Sequence, residues 1–363
     1  MALISRRFFY DFDYVLLAIV LALTSFGILG VYSATWEAGP GPLRGHLLRV
    51  ALGLVLCLFF SLFDYRRLTD HALPIYLGAV AVLVATLFFG TEIKGSRSWI
   101  QFAGFGLQPS EMAKLAVLLV LAKFLGEVRE SYLGMRTLVL LGGLFGLPVL
   151  LIILQGDMGT ALMYFSLLGA TLFLAGLKMR IVVAMVLAAS LLAPIGWFSL
   201  QDYQRERIMV TFNPDHDPQG VGYQVRQSKI AIGSGGLTGK GLGKGLQSQL
   251  GFVPEVHTDF IFALLAEEVG FLGGGTILIL FGLLLLRILS VAGEAADRTG
   301  ILLAAGVAAL IFLHMLTNVG MTLGILPAIG VPLPFVSYGG SSTLTMFAAV
   351  GMVINVRTRR FLY

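Results

Sequence analysis

The stretch YVLLAIVLALTSFGILGVYSAT at residues 14–35 contains no charged residue. A helix needs about 20 apolar residues to cross the hydrocarbon core of a bilayer, so this stretch is long enough to span a membrane. The whole chain of 363 residues is 57% hydrophobic and only 12% charged, whereas a soluble domain carries roughly 25% charged residues. The composition therefore excludes an ordinary soluble enzyme, a disordered chain and a disulfide scaffold.

Apolar runs of similar length recur along the rest of the chain. Because they are continuous rather than alternating, they favour helices over the strands of a membrane barrel. We predict an all-α integral membrane protein that forms one domain over residues 1–363, with about ten transmembrane helices. The predicted spans are residues 14–35, 47–63, 73–90, 110–125, 137–154, 158–176, 180–200, 259–287, 300–323 and 341–356.

The basic residues predict the orientation, because cytoplasmic loops of membrane proteins collect Lys and Arg. With the N-terminus inside, most of these residues near span ends lie on the cytoplasmic side, and both termini are cytoplasmic. The short outer segments hold Arg44, Arg49, Lys94 and Arg97. The excess of 25 basic over 20 acidic residues thus reflects topology, and we predict no nucleic-acid partner.

Two segments on the predicted outer side are longer or less regular than a simple connection requires. One is a large loop at 201–258 between helices seven and eight, and the other is an apolar segment rich in Pro and Gly at 324–340. Long loops inside compact domains are usually functional. Irregular backbone at membrane depth is tolerated where it is buried or lines a cavity. We therefore expect the working face to be extracytoplasmic.

Asp259 is the strongest candidate for a catalytic residue, since it follows His257 where the apolar run of helix eight begins. A carboxylate there can cap the helix and complement its dipole. It can also act as a general base at the mouth of the bundle, and the two roles are compatible. Glu267 and Glu268 lie deeper in the same helix and must face the interior, either for function or as structural ion-pair partners.

Helix four opens with QPSEMAK at 108–114, in which Glu111 and Lys114 are spaced for an i,i+3 pair. A lysine near the start of a helix opposes the helix dipole. It either reaches back to the outer interface or points into a cavity, where it would bind a substrate phosphate.

The segment from Gly233 to Gly245 is rich in glycine and includes Lys240 and Lys244. It matches neither nucleotide-binding fingerprint. It is either a flexible linker or a backbone cradle for an anion, aided by nearby basic residues. The side chains of Ser337, Tyr338, Ser341 and Ser342 either hydrogen-bond a ligand or satisfy the backbone of their own segment. His314 and Asn318 form one polar helix face, from which we predict no metal site.

At these residues the chain resembles the SEDS family of bacterial cell-wall polymerases, and its RodA (elongation) branch more than its FtsW (division) branch. The resemblance covers nearly the whole chain. The blocks that carry it are QPSEMAKLA (108–116), YQVRQSKIAIGSGGLTGKGLGKG (223–245), QSQLGFVPEVHTDFIFALLAEEVG (247–270) and NVGMTLGILPAIGVPLPFVSYGGSS (318–342).

The resemblance implies a peptidoglycan glycosyltransferase of the bacterial cytoplasmic membrane. Such an enzyme polymerises lipid II into β-1,4 glycan during elongation with inversion and releases undecaprenyl pyrophosphate. The essential aspartate of the family falls on Asp259, which would be the catalytic base. The expected substrate-binding residues are Lys114, Glu111, Arg97, His257, Arg226, Lys229, Lys240, Ser337 and Ser341. Arg97 departs from the family pattern, because Ser98 separates it from Trp99.

The expected partners are lipid II, a class B penicillin-binding protein, other membrane proteins of the elongation complex and membrane lipids. No cofactor is predicted with certainty, and a divalent cation stays open because a pyrophosphate can recruit one. The alternative function is a flippase or transporter of lipid-linked precursors. A transporter would show broken helices and charges near the midplane, whereas charge and irregular backbone gather on the outer side of this sequence.

Overall fold

The structure is a computed structural model. It describes residues 10–36, 39–93, 95–102, 105–128, 134–177, 202–213, 217 and 220–361, with isolated positions between 180 and 198. The helices with assigned bounds are α1 (Tyr14–Ala34), α2 (Pro40–Leu62), α3 (Tyr65–Asp70), α4 (Ala72–Phe89), α5 (Pro109–Glu127), α6 (Met135–Leu154), α7 (Met158–Leu174), α8 (Asp202–Phe212), α9 (Val221–Ser234), α10 (Leu246–Gln249), α11 (Ile261–Gly293), α12 (Arg298–Thr322) and α13 (Gly340–Thr358).

Helices occupy nine of the ten predicted spans, and the remaining one, 180–200, falls largely outside the described residues. Within the described part of the chain, six helices are long and apolar enough to cross a membrane, and α7 is a shorter apolar helix. The helical membrane fold is therefore confirmed, while the count of ten spans stays a prediction.

Helix α2 begins at Pro40, earlier than the predicted start at 47. Proline suits the first turn of a helix, because its missing N–H would have no partner there. This early start adds Arg44 and His46 to the helix, which also carries Arg49. The predicted outer connection is correspondingly shorter.

The centre of the bundle is formed by α5, α12, α13 and the first half of α11, whose side chains are almost all buried. The surrounding helices expose large apolar side chains, such as Phe88, Val139 and Ile279. In water such a surface would aggregate, and in a bilayer it faces lipid tails. The fold is therefore layered, with polar groups confined to the centre and the two ends.

At one end of the bundle, a buried carboxylate holds three helices together. Asp13 accepts a hydrogen bond from Leu16 N at 3.0 Å and so caps α1. It also pairs with Arg287 of α11 at 2.9 Å and with Arg357 of α13. We call this the Asp13 end.

A second polar cluster lies at the start of α12. The hydroxyl of Tyr65 donates to Asp297 at 2.7 Å, and Arg66 pairs with the same carboxylate at 3.2 Å. Burial, together with the hydrogen bond to Asp297, raises the pKa of Tyr65 above its ordinary value. The tyrosine therefore stays a neutral donor that ties α3 to α12.

At the opposite end, the segment between α4 and α5 forms a small antiparallel sheet with strands β1 (Thr91–Ile93), β2 (Ser96–Phe102) and β3 (Phe105–Leu107). Ile100 pairs with Leu107 across β2 and β3. The all-helical prediction did not include these strands. The predicted loop at 201–258 likewise contains α8, α9 and α10.

Helix α11 is broken at Gly270, which has φ 74° and ψ −169°. The break leaves helix carbonyl and N–H groups without intrahelical partners, and the glycine-rich segment supplies them. Lys240 N and Gly241 N donate to the carbonyls of Glu267 and Glu268 at 3.1 and 2.9 Å. A side chain at Gly270 would meet the Gly239 nitrogen at 2.2 Å, so only glycine fits this close approach.

Candidate functional site

A polar cavity of about 520 Å³ opens at the end of the bundle opposite Asp13. The first turns of α5, α7 and α13, the residues just before α11, and the segment after α12 form its wall. The wall carries polar side chains from distant parts of the sequence: Ser98, Gln108, Glu111, Asp157, Thr160, Gln204, Arg207, Glu255, Thr258, Asp259, His314, Tyr338, Ser341 and Ser342.

Asp259 lies in this wall, in a turn held from two sides. Its backbone N–H donates to Glu255 O at 3.1 Å. The side-chain amide of Asn318 donates to the carbonyls of Asp259 and Val331, at 2.9 and 2.7 Å. Asn318 thus joins the Asp259 turn to the segment after α12. The N-cap of α11 is Phe260, so Asp259 precedes the helix instead of capping it.

Gly330, in the segment after α12, lies beside the Asp259 carboxylate. It has φ +71°, and a methyl group placed on it would lie 3.3 Å from Asp259 Oδ2. Glycine adopts this left-handed conformation without steric cost. The residue therefore lets the backbone pass close to the carboxylate while leaving it room.

The pair predicted at the start of α5 exists, and it is buried. Lys114 Nζ donates to Glu111 Oε1 at 2.6 Å and lies 3.0 Å from His314 Nε2. His314 Nδ1 lies 2.8 Å from the Leu310 carbonyl. If Nδ1 carries the ring proton and donates to that carbonyl, Nε2 is left to accept from Lys114. Glu111 and His314 reach the cavity wall, whereas Lys114 has 0% exposure and stands behind them.

Two further polar contacts fix the wall between α5, α7 and α13. The hydroxyl of Ser341 accepts from Gln108 N at 2.7 Å. The Gln108 side chain donates to Asp157, which also caps α7 by accepting from Thr160 N at 3.0 Å. Gln108 therefore connects three helix ends, and its contacts keep the mouth of the cavity in shape.

Of the predicted site residues, Asp259, Glu111 and Ser341 lie in the cavity wall, and the others lie elsewhere. Ser337 accepts from Leu333 N at 2.8 Å, so it satisfies its own segment. Arg97 lies 3.8 Å from Glu92 at an exposed position of the sheet. The ring of His257 packs 5.5 Å from that of Tyr338.

The basic residues predicted on the large loop lie away from the cavity. Arg226 and Lys229 are exposed on α9. Lys240 bonds to Glu267 Oε1 at 2.8 Å, and the same carboxylate accepts from Ser248 Oγ at 2.7 Å. Glu268 accepts from Ser33 Oγ at 2.6 Å. The two glutamates thus face the interior, as expected for membrane-embedded acids, and anchor the glycine-rich segment to α11.

A second cavity, apolar and about 630 Å³ in volume, runs along the bundle between α2, α4, α5 and α13. One end of it is bounded by Leu107, Pro109 and Leu344, and the end towards Asp13 by Phe59 and Phe63. Leu107 and Pro109 flank Gln108 of the polar cavity. The linings of the two cavities therefore adjoin along the chain where α5 begins.

The prediction missed several wall residues, among them Gln204, Arg207 and Glu255. His314 was noted only as part of a polar helix face, although a histidine inside an apolar span must find a polar partner. Tyr338 and Ser342, which the sequence analysis grouped with Ser337 and Ser341, lie in the wall. Within the described residues no group of three His, Cys, Asp or Glu side chains is placed to hold a metal ion, so a divalent cation has no preformed protein cluster there.

The sequence profile of the FtsW/RodA/SpoVE family, described as cell cycle protein, matches residues 14–361. The chain belongs to this family. The SEDS resemblance drawn from the four sequence blocks is thereby confirmed.

Two curated relatives match along almost their whole length. Peptidoglycan glycosyltransferase MrdB of Escherichia coli (strain K12) is 40% identical over 362 residues, which cover 98% of this chain and 97% of that protein. Peptidoglycan glycosyltransferase RodA of Treponema pallidum (strain Nichols) is 34% identical and covers 96% of this chain and 98% of that protein.

Solved structures share the fold. A chain of a peptidoglycan synthase complex that coordinates polymerization and crosslinking superimposes with a TM-score of 0.85 at 32% identity, covering 97% of this chain and 99% of that one. The rod shape determining protein RodA of Thermus thermophilus superimposes with a TM-score of 0.74 at 29% identity, covering 97% and 98%. This SEDS chain therefore has a RodA-like helical membrane fold.

Proposed function

We propose that this protein is a peptidoglycan glycosyltransferase that polymerises lipid II on the outer face of the bacterial cytoplasmic membrane. The observation that carries the proposal is that the lining of a polar cavity containing Asp259 adjoins that of a long apolar groove at the start of α5. A lipid-linked sugar needs both environments at once. Its saccharide and peptide require hydrogen-bonding groups, and its isoprenoid chain requires an apolar surface.

The apolar groove supports a substrate that stays anchored in the bilayer. It extends from Pro109 near the outer end of the bundle to Phe63 near the Asp13 end. A chain lying in it would place its head group at Gln108 and Ser341, inside the polar cavity. The substrate would thus enter sideways from the membrane without leaving it.

Asp259 would serve as the general base. The acceptor sugar hydroxyl forms a bond to the anomeric carbon of the donor, and the bond from that carbon to the lipid diphosphate breaks. The hydroxyl proton passes to the Asp259 carboxylate. Direct displacement inverts the α-linked donor into a β-1,4 glycan. A positioned carboxylate of this kind typically contributes about 10²- to 10⁴-fold to the rate.

Lys114 would influence the substrate without touching it, because it lies behind Glu111 and His314 of the cavity wall. With 0% exposure and bonds to Glu111 and His314, it offsets the charge of Glu111. Without that lysine the cavity, which already contains Asp157, Glu255 and Asp259, would repel a diphosphate more strongly. Its proposed role is therefore to tune the field in the cavity.

A class B penicillin-binding protein is the proposed partner. One solved relative comes from a synthase complex that couples polymerization to crosslinking. A flippase is less well supported, because the polar cavity lies at one end of the bundle. Alternating access needs a site near the midplane. We also propose that both termini lie in the cytoplasm, on the same side as the Asp13 end.

The test is glycan synthesis from purified lipid II by the full chain together with its transpeptidase partner, resolved on a gel. We expect polymer from the wild type and a rate at least about 100-fold lower for Asp259→Asn. The matched control is Asp202→Asn, which removes a fully exposed carboxylate on α8 and should leave the rate unchanged. Equal rates for wild type and Asp259→Asn would refute the base assignment. Lipid II scrambling in liposomes without any polymer would favour the flippase.

A further inference from the structure

Two basic side chains on α2 lack the partners that buried polar groups normally have. His46 is fully buried, and neither of its ring nitrogens has a hydrogen-bond partner in the described part of the chain. Arg49, one turn further along, has a buried Nη1 that also lacks an acceptor. Burying unpaired polar groups costs free energy, so each such group in a native structure calls for an explanation.

The position of Arg49 supplies that explanation. A methyl group placed on Gly340 would lie 3.4 Å from Arg49 Nε and 3.4 Å from the Gly106 carbonyl oxygen. Gly340 lines the polar cavity, and Leu107, next to Gly106, lines the apolar groove. The guanidinium therefore lies beside the first turn of α13 and next to the stretch 106–108, where residues that line the groove adjoin residues that line the cavity. In a lipid-linked sugar, the group between tail and saccharide is the diphosphate.

The first turn of α13 adds donors at the same place. Its N-cap, Gly339, makes no side-chain capping bond. The first N–H groups of a helix have no intrahelical partner and favour an anion. Ser342, in this turn, is buried in the cavity wall, and its hydroxyl has no hydrogen-bond partner.

Other described cations on this side of the molecule already have interaction partners, among them Arg207 in the cavity wall. Lys114 is bonded to Glu111, and Lys240 to Glu267. Arg97 lies 3.8 Å from Glu92. Arg49 instead rests on the ring of Tyr338, with its carbon Cζ 4.5 Å from the ring centroid. This contact orients the guanidinium without neutralising it.

We propose that Arg49, with the N-terminal turn of α13, binds the diphosphate of the lipid-linked substrate and of the lipid product. The proposal rests on the proposed function, since it names the group recognised at the same site. Arg49 donates to the phosphate oxygens in a charge-assisted contact. His46 is fully buried and packs on the ring of Tyr338, with ring centroids 5.8 Å apart, so it supports the ring on which Arg49 rests. The negative charge that grows on the leaving diphosphate is then stabilised at this junction.

The first experiment measures binding of undecaprenyl diphosphate to the full chain in phosphatidylcholine nanodiscs. We expect Arg49→Gln to weaken binding by about tenfold or more, as loss of a charged hydrogen bond predicts. Arg49→Lys should recover part of the affinity. The matched control is Arg44→Gln, which removes an exposed arginine of the same helix and should bind like the wild type. Unchanged affinity of Arg49→Gln would overturn the proposal.

Competition identifies the chemistry of the ligand. Inorganic pyrophosphate should displace the lipid diphosphate, and undecaprenyl monophosphate should bind more weakly than the diphosphate. If phosphatidylglycerol in the nanodisc displaces it equally well, the site takes any anionic head group and the diphosphate assignment is wrong. If Arg49→Gln does not fold, Ser342→Ala replaces it, with an expected loss of several-fold. An affinity equal to that of the wild type would then overturn the proposal.

The binding result and the polymerisation result separate the two proposals. A wild type that binds the diphosphate through Arg49 but makes no glycan would leave this site intact and remove the proposed function. If the wild type makes glycan and Arg49→Gln binds the diphosphate normally, the proposed function stands and the Arg49 site is refuted. In the productive case, Arg49→Gln should raise KM for lipid II, while its thermal unfolding matches that of the wild type.

Discussion

The two ends of the bundle use charge in opposite ways. At the Asp13 end the carboxylate meets two arginines and a helix N-terminus, and α1, α11 and α13 close around it. At the other end the first turns of α5, α7 and α13 surround a cavity of about 520 Å³, and among the described residues Arg49 Nη1 and Ser342 Oγ find no hydrogen-bond partner. The carboxylate of the Asp13 end is used to join helices, whereas the carboxylate of Asp259 at the other end faces a cavity.

The largest stability effect is expected at the Glu111–Lys114 pair, which lies behind the open end. Lys114→Met would leave Glu111 without its partner in a site with side-chain exposures of only 0% and 5%. Breaking such a pair costs about 3–5 kcal/mol. Adding Glu111→Gln should restore much of the loss, because no unpaired charge remains. Thermal unfolding of the two single variants and the double variant measures this coupling. Additive losses would show that the pair does not act as a unit.

Asp13→Asn is expected to cost about 2–3 kcal/mol, less than the Lys114 variant, because Arg287 and Arg357 are partly exposed and can reach water. Asp259→Asn, which keeps the shape of a side chain that lines the cavity, should change stability by less than about 1 kcal/mol. Thermal midpoints of the two variants compare the ends directly. A larger loss for Asp259→Asn would reverse the assignment of structural and functional ends.

Gly330→Ala places a methyl group at a left-handed position, 3.3 Å from Asp259 Oδ2. The backbone strain should cost about 1–2 kcal/mol, and the crowded carboxylate should lower kcat more than it raises KM. Steady-state glycan synthesis gives both constants. Gly282→Ala, at a helical glycine with open space around it, is the control and should leave both unchanged. Equal rates for the two variants would mean that Gly330 does not govern the carboxylate.

Ser337→Ala is expected to have the smallest effect, about 1 kcal/mol, because it removes one hydrogen bond, to Leu333 N. Since Ser337 lies outside the wall of the cavity, KM for lipid II should stay at the wild-type value. A thermal midpoint and a KM determination are sufficient. A several-fold rise in KM would restore Ser337 to the substrate-binding role that the sequence predicted.

Features of the structure that depend on local sequence pattern could be predicted. Uninterrupted apolar runs predicted the helices, and a carboxylate at the edge of such a run identified Asp259. The wall of the cavity was not predictable, because it joins helix ends that are more than 200 residues apart, as in the contact of Gln108 with Ser341. No periodicity in the sequence contains that information.

Arg49 shows a second limit of the sequence. In an outer segment, a cation that anchors the topology and a cation that binds a ligand look the same. They become different in the structure, where the packing of α2 places Arg49 beside Gly340. The glycine-rich segment shows the converse. Its lysines suggested an anion site, whereas Lys240 pairs with Glu267 and its backbone completes α11.

The backbone hydrogen bonds between the glycine-rich segment and α11 also couple the two mechanically. The N–H groups of Phe271 and Leu272 donate to the carbonyls of Gly236 and Leu237, at 2.8 and 3.1 Å, so loop and helix share one ladder of hydrogen bonds across the break at Gly270. A pull on the outer segment is therefore carried by peptide groups into the helix that begins just after Asp259. We therefore expect the glycine-rich segment and α11 to move together. The glycines allow the two backbones to approach closely, whereas their sequence alone suggests a flexible linker.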